Sequence, residues 1–278
     1  MKYLIKFYYI GSDKYYGSQR QVKEPTIESL LIEVLKKKGY IDDIKNSQFE
    51  VASRTDKLVS ARCNAFSLMT EKKPILMEIN SALPKDIGLW ALAKVSNDFS
   101  ARRNAIQRQY KYIIYLPYLQ SKYHKKPNLK LMKKACKLLE GEHDFSNFAK
   151  RTKEHVNPIR TLNNITLKKK KDFIIIDFKS RAFLRQQVRR MVAKILDVGA
   201  QRMTLNNFLE LFDSNQFKSY EPADPRGLIL WDIKYNKNIE FIIDQRSKTR
   251  MFDYFQEKER KSALKLNLFR SLQHDDFC

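Results

Sequence analysis

Apolar and polar positions alternate most clearly at the start of the chain. Between residues 2 and 10, Tyr3, Ile5, Phe7 and Tyr9 fall on one face and Lys2, Leu4, Lys6 and Tyr8 on the other, which predicts a strand. Gly11-Ser12-Asp13 ends it, and an aromatic and polar loop follows, Tyr15 to Gln21. The period then changes. Ile27, Leu30, Leu31, Val34 and Leu35 recur at helical spacing, Thr26 can cap the start, Glu28 suits the positive end of the dipole, and Lys36-Lys37-Lys38-Gly39 closes the segment. Extended runs are expected over residues 49–52 and 65–69, a helix over 74–80 and a strand over 89–95. The order is β-α-β-β-α-β, the ferredoxin-like arrangement with helices on one face of an antiparallel sheet.

The second half repeats this alternation of elements without a residue-level repeat. Residues 108–116 read as a strand with Tyr110, Tyr112 and Ile114 on one face. Leu131, Met132, Ala135, Leu138 and Leu139 mark a helix over 129–139, which Gly141 terminates. Residues 143–149 read as a compact aromatic loop. Paired strands are expected over 160–167 and 173–178, around Lys168-Lys169-Lys170-Lys171. A helix is expected over 182–198, with Leu184, Val188, Met191, Val192, Ile195 and Leu196 on one face. A short helix over 205–212, a turn-rich loop at Pro222 to Gly227 and a closing strand over 228–235 complete this half. Beyond it, 241–243 is strand-like and 251–269 is compatible with a helix.

The predicted fold class is therefore α+β, with two ferredoxin-like (RRM-like) halves whose antiparallel sheets meet at a basic central cleft. The expected division is 1–104, 105–236 and a C-terminal extension over 237–278.

Charge sharpens this picture. Fifty-four Lys and Arg stand against 31 Asp and Glu, a net charge of +23, which suits a partner carrying many phosphates. Cys63, Cys136 and Cys278 form no CxxC pair, and His124, His143, His155 and His274 are dispersed, so neither a disulfide framework nor a metal site is expected. Met1 to Phe7 is too short and interrupted for a signal peptide, and no apolar run reaches the length of a membrane span. A soluble, cytoplasmic protein is expected.

The chemistry centres on Phe49 to Lys57. There Asp56 sits on a loop between two strand-like runs, with Arg54 two residues earlier able to hold it ionised. A surface Arg/Asp pair in a turn fits that spacing too. A second feature bears on the choice: Arg181, Arg185 and Arg189 recur every four residues along the 182–198 segment. Helical spacing puts Arg185 inside the apolar arc and Arg189 at its margin. A buried guanidinium needs a partner, and Asp56 is the nominee; the alternative is that both arginines bend to the surface.

These motifs fit a known family. Tyr15-Tyr16-Gly17-Ser18-Gln19-Arg20-Gln21, Ser53-Arg54-Thr55-Asp56, Asn80 to Ile87 (NSALPKDI) and Phe99-Ser100-Ala101-Arg102 appear in order. They are followed by Arg108-Gln109-Tyr110-Lys111-Tyr112, Leu139 to Phe145 (LEGEHDF), Ala182 to Val192 (AFLRQQVRRMV) and Gly227 to Leu230. Over residues 3–235 the chain resembles the TruA-type tRNA pseudouridine synthases. The resemblance implies a pseudouridine synthase fold and conversion of uridine to pseudouridine in tRNA, in the anticodon arm at positions 38 to 40. It implies no cofactor and no metal, and bacterial relatives pair as homodimers. It places the catalytic aspartate at Asp56, its arginine partner at Arg189 and the active-site tyrosine at Tyr110, with Arg54 beside them. Arg54, Tyr110, Gln19, Arg20, Arg102 and Arg185 are the substrate-binding residues it implies. Asp56 would attack the ribose or the base, or assist glycosidic cleavage electrostatically. Arg54 would fill the space left by a flipped uridine or hold a phosphate. Three positions depart from the family pattern: Ser18 stands for a Trp, Ser53 for a Gly, and Leu58 for the Gly after the nucleophile.

A non-catalytic RNA-binding protein with two RRM-like units would share the charge and the element order, but it leaves Arg54, Asp56, Tyr110 and Arg189 without a purpose. A metal-dependent nuclease would want clustered carboxylates, whereas Asp56 is solitary.

Overall fold

Strand β1 (Lys2–Tyr9) is buried along nearly its whole length because it pairs on both edges, antiparallel to β3 (Ser60–Met69) and to β4 (Ile87–Val95). The computed structural model describes residues 1–152 and 157–273; His155, His274 and Cys278 lie outside them. Helix α1 (Ile27–Lys37) begins at a reciprocal cap in which Thr26 and Ser29 exchange side-chain and backbone hydrogen bonds, with Glu28 in its first turn. Its buried stripe, Ile27, Leu31, Ile32, Val34 and Leu35, follows the predicted period. Two-residue β2 (Glu50–Val51) precedes β3, and α2 (Leu76–Ala82) precedes β4.

Strand β5 (Gln107–Tyr115) pairs antiparallel with β8 (Phe173–Ser180) and β9 (Leu228–Lys234), burying Tyr110, Tyr112 and Ile114 as the alternation requires. Beyond β8 come β7 (Ile159–Lys170) and β6 (Gly141–Asp144). Helices α4 (Leu129–Leu138) and α5 (Gln187–Gly199) pack together, and Asn128 caps α4 through the amides of Lys130 and Leu131.

The ten strands among the described residues, the last being β10 (Ile242–Ile243), form one mixed sheet in the order β10-β4-β1-β3-β9-β5-β8-β7-β6, with β2 also on β3. This corrects the expectation of separate antiparallel sheets. The free edge of β3 is shared. Glu50 and Val51 take one end of it antiparallel, opposite Ser67 and Phe66, while β9 takes the other end in parallel, Ser60 beside Ile229 and Ala61 beside Leu230. Pairing across such a distance leaves no local periodic trace. The chain leaves β2 between these two partners, and that is where the Asp56 loop lies.

Further differences have local causes. Helix α5 starts at Gln187, not near 182, because Gln186 adopts a left-handed backbone (φ 60°) that ends the preceding loop. Arg185 is therefore exposed on a loop and not inside a helical apolar arc. Strand β3 begins five residues earlier than expected, through polar Ser60, Arg62 and Asn64. The lysine run continues β7, and the turn falls on Lys171-Asp172. Helix α3 (Leu116–Tyr123) and β6 lie where no element was predicted. Helix α6 (Leu205–Leu209) follows α5, and the extension then joins the fold: β10 pairs with β4, and α7 (Gln245–Ser271) packs on α2 and β4. No helix among the described residues is long and apolar enough to cross a membrane.

Candidate active site

The Asp56 loop is held from several sides before any substrate arrives. After β2 the pairing with β3 runs on for two residues: Ala52 donates its amide to Ala65 O at 2.8 Å, and Asn64 Nδ2 donates to Ser53 O at 2.8 Å. Tyr9 and Thr55 share a hydroxyl hydrogen bond of 2.7 Å. The Thr55 amide donates to Ser18 Oγ at 2.7 Å, and the Ser18 amide donates to Thr55 O at 3.1 Å. Ser18, in place of the family's Trp, thus ties the Tyr15–Gln21 loop to the Asp56 loop. Gly17 lies so close that a Cβ there would meet Thr55 O at 2.9 Å. The loop ends at Leu58, whose φ of 69° is the left-handed conformation that the family's Gly adopts freely.

From the far side, α5 delivers Arg189. Its Nη1 donates to Asp56 Oδ2 at 2.6 Å, and its Nε donates to Ala223 O at 2.8 Å. Ala223 N in turn donates to Arg189 O at 3.0 Å, so the 220–224 loop buttresses both ends of the residue. The arginine side chain is 10% exposed and the aspartate 29%, so the pair is sheltered yet open to the cleft on the carboxylate side.

Tyr110 supplies the floor. It is buried, its hydroxyl shares a 3.0 Å hydrogen bond with Ser53 Oγ, and Phe183 stands edge-on to its ring at 5.2 Å. Burial pushes its phenol above the ordinary range. At neutral pH it offers a ring and a neutral hydroxyl, not a phenolate. Here again a departure from the family pattern is used, since a Gly at position 53 would leave that hydroxyl without this partner.

These groups line a cleft of about 1780 Å³. Its basic lining includes Arg54, Arg102, Arg103, Arg151, Arg181 and Arg185, and Gln19 reaches it too. Arg54, Arg181 and Arg185 are exposed there and have no ion-pair partner among the described residues. Arg20 is exposed but is not among the lining residues; its amide donates to Glu28 at 3.1 Å. The two loop tyrosines separate: Tyr15 is buried with its hydroxyl on Asp86, while Tyr16 lines the cleft with Lys57 Nζ 3.9 Å from its ring centre. Sequence reasoning assigned nothing to Ser18, Asn64 or Arg108, which shape the loop. The available signal was Asn64, a polar residue directly before the apolar Ala65-Phe66 of β3. Among the described residues no group of three or more His, Cys, Asp or Glu could hold a metal ion.

Asp56, its arginine and a buried tyrosine thus meet in a basic cleft on a mixed α+β sheet. Comparison with known proteins gives the family. The profile described as "tRNA pseudouridine synthase" matches residues 135–236. The "tRNA pseudouridine synthase A" of Methanothermobacter thermautotrophicus is 34% identical over 274 residues, covering 99% of this chain and 95% of that protein. That of Archaeoglobus fulgidus is 37% identical over 245 residues, covering 88% and 87%. A chain of the "Cbf5-Nop10-Gar1 Complex" crystal structure superposes with a TM-score of 0.34 at 10% identity, covering 70% of this chain and 45% of that one. The chain belongs to the tRNA pseudouridine synthase A family, a family of intramolecular isomerases. The match to the Methanothermobacter protein spans nearly the whole chain, so the C-terminal extension falls within the likeness.

Proposed function

We propose that the protein isomerises uridine to pseudouridine in tRNA, with Asp56 as its catalytic carboxylate. The observation that carries this reading is the Asp56–Arg189 pair at 2.6 Å, open on one side to an arginine-lined cleft beside Tyr110. In the reaction the N1–C1′ bond of uridine breaks, the base turns, and a C5–C1′ bond forms. The proton at C5 leaves and N1 gains one, so atoms balance without an oxidant or reductant. One ionised carboxylate can begin this by attack on ribose or base, or by stabilising charge as the glycosidic bond opens. Arg189 holds and aims Asp56 through its 2.6 Å hydrogen bond. Tyr110 presents its ring to the flipped uracil, a role suited to a phenol that keeps its proton. Flipping is required because the reacting atoms of a stacked base are out of reach. Arg54, adjacent to the acid and exposed, fills the vacated space or meets a phosphate. Arg102, Arg185 and Gln19 grip the backbone, and Arg20 joins them when the RNA extends past the cleft.

The finer readings rest on family resemblance and on the topology. Uridines 38 to 40 of the anticodon arm are the expected targets, the protein acts in the cytoplasm, and homodimer pairing follows that of bacterial relatives. The orders β4-β1-β3-β2 and β9-β5-β8-β7 support reading residues 1–104 and 105–236 as two ferredoxin-like units, with 237–278 appended.

The test is tritium release from unmodified tRNA carrying 5-tritiated uridine, with wild type and Asp56→Ala. Release by wild type alone is expected, and mapping the modified sites then identifies the uridines. Release by both proteins, or by neither, would overturn the assignment.

A further inference from the structure

Arg108 is 7% exposed and carries no carboxylate partner among the described residues. Its guanidinium is instead spread over three backbone carbonyls: Nη1 donates to Arg181 O at 2.6 Å, and Nη2 donates to Ala52 O at 2.8 Å and to Arg102 O at 2.9 Å. Each carbonyl belongs to a different wall of the cleft. Ala52 immediately precedes Ser53-Arg54-Thr55-Asp56. Arg102 lies in the connection that carries Arg102 and Arg103 into the cleft. Arg181 opens the loop that presents Arg185 and leads into α5 and Arg189. Two residues along the same face of β5 stands Tyr110.

A buried cation among neutral acceptors, with Arg102 and Arg181 nearby, is an expensive way to hold a fold together. Burial and these neighbours lower its affinity for its proton, yet a guanidinium remains charged. The planar fork explains its use. Only Arg directs several N–H groups in fixed directions at once, so the three walls are set relative to one another by one rigid group. The carbonyl dipoles that receive it also orient the backbone of the segments carrying Asp56 and the gripping arginines.

Resting on the isomerase reading above, we propose that Arg108 is a positioning residue. It fixes the Asp56 loop, the Arg102 connection and the Arg181–Arg185 loop as one unit, so that RNA held by the two basic walls presents its flipped uridine at the acid. It touches no reacting atom; it acts through the backbone of residues that do.

The experiment compares wild type, Arg108→Lys and Arg108→Gln at a temperature where circular dichroism shows all of them folded. Single-turnover tritium release gives the chemical rate, filter binding gives the affinity for tRNA, and release by Arg108→Gln is repeated with added guanidinium. Because misplacement by an ångström costs about 100-fold in rate, Arg108→Lys is expected to lose about that factor while its tRNA affinity changes by less than about threefold. Guanidinium is expected to restore part of the lost rate to Arg108→Gln, which a merely structural loss would not allow. If Arg108→Gln does not fold, Arg108→Lys decides alone. A folded Arg108→Lys with wild-type rate, or a rate loss matched by an equal affinity loss, overturns the inference. Absence of release from wild type sinks the isomerase reading itself, so the two failures are distinguishable.

Discussion

Arg189 Nη1 and Asp56 Oδ2 stand 2.6 Å apart although 133 residues separate them along the chain. The acid comes from a loop beside β3 and the guanidinium from the first turn of α5, and the same arginine is anchored by Ala223 O. Removing Arg189 therefore strips Asp56 of its cation and its orientation together. Arg189→Ala is expected to lower single-turnover tritium release by about 100- to 1000-fold, the usual cost of losing a preorganised electrostatic group. Because the pair is only partly sheltered, its loss should destabilise the fold by about 1–3 kcal/mol in urea titration, between the exposed and buried limits. Arg189→Lys keeps a charge but cannot serve both Ala223 and Asp56, and should fall between. Full activity in Arg189→Ala would contradict the role given to this pair.

Tyr110 belongs to a set of phenols that includes the buried Tyr9, Tyr112 and Tyr235 and the half-buried Tyr220, and loss of solvent pushes all of them above the ordinary value of 10.0. The sign follows. Each phenol is protonated in both folded and unfolded chains below about pH 10, so its contribution is fully present there. Above pH 10 the unfolded chain ionises first, and stability falls until the folded values are reached. Urea midpoints should hold near pH 9 and drop steeply from pH 10 upward, each phenol contributing up to about 1.4 kcal/mol per pH unit. A midpoint that stays level through pH 11 would mean these rings are wetter than their burial indicates.

Much of this was legible in the chain, for identifiable reasons. Strong local periods mark β1, α1, α4 and β5. The fourfold spacing singled out Arg181, Arg185 and Arg189 as a group, with Asp56 as the nominated partner, and the family resemblance narrowed the pairing to Arg189 and Asp56. Arg185 was misplaced because the 3.6-residue period was carried through Phe183 to Gln186, a stretch that is not helical. What remained hidden depends on contacts distant in sequence. The parallel seam of β3 and β9 has no local pattern, β6 is a four-residue strand made only by its partner β7, and Arg108 reads as an ordinary polar strand residue until its three carbonyls are seen.

The turn after Asp56 gives a test of backbone strain. Leu58 has φ 69°, and a Cβ on Gly11 would lie 2.3 Å from the Leu58 carbonyl carbon. Gly11→Ala must push the two loops apart and is expected to lower thermal stability and activity together, by about 2 kcal/mol or more in stability. Leu58→Gly relieves about 1–2 kcal/mol of left-handed strain, against an entropic loss of about 0.5–1 kcal/mol. Its stability should rise slightly or stay level, as read from urea midpoints. A marked loss in Leu58→Gly would show that packing of the leucine side chain outweighs its backbone strain.

Attachment of the extension gives the last test. Asn80 is 1% exposed; its Nδ2 donates to Leu89 O at 2.8 Å and to Ser247 Oγ at 3.0 Å, and its Oδ1 accepts from the Leu89 amide at 2.8 Å. One side chain thus joins α2 to β4 and both to the first turn of α7. Met251 is buried further along that helix, and Phe255 meets Tyr8 edge-on at 5.1 Å. Asn80→Ala would leave the Leu89 amide and carbonyl and the Ser247 hydroxyl without this partner. It should cost about 2–4 kcal/mol, whereas Ser247→Ala removes one neutral bond and should cost about 1 kcal/mol. If the two residues act through their mutual bond, a double-mutant cycle should return a coupling of about 0.5–1.5 kcal/mol. Tritium release by whichever variants remain folded should stay within about twofold of wild type, because Asn80 and Ser247 are absent from the cleft lining and surface-distant sites add independently. Zero coupling would mean that the extension is held by its apolar contacts alone, and a large fall in rate at full folding would tie α7 to the chemistry instead.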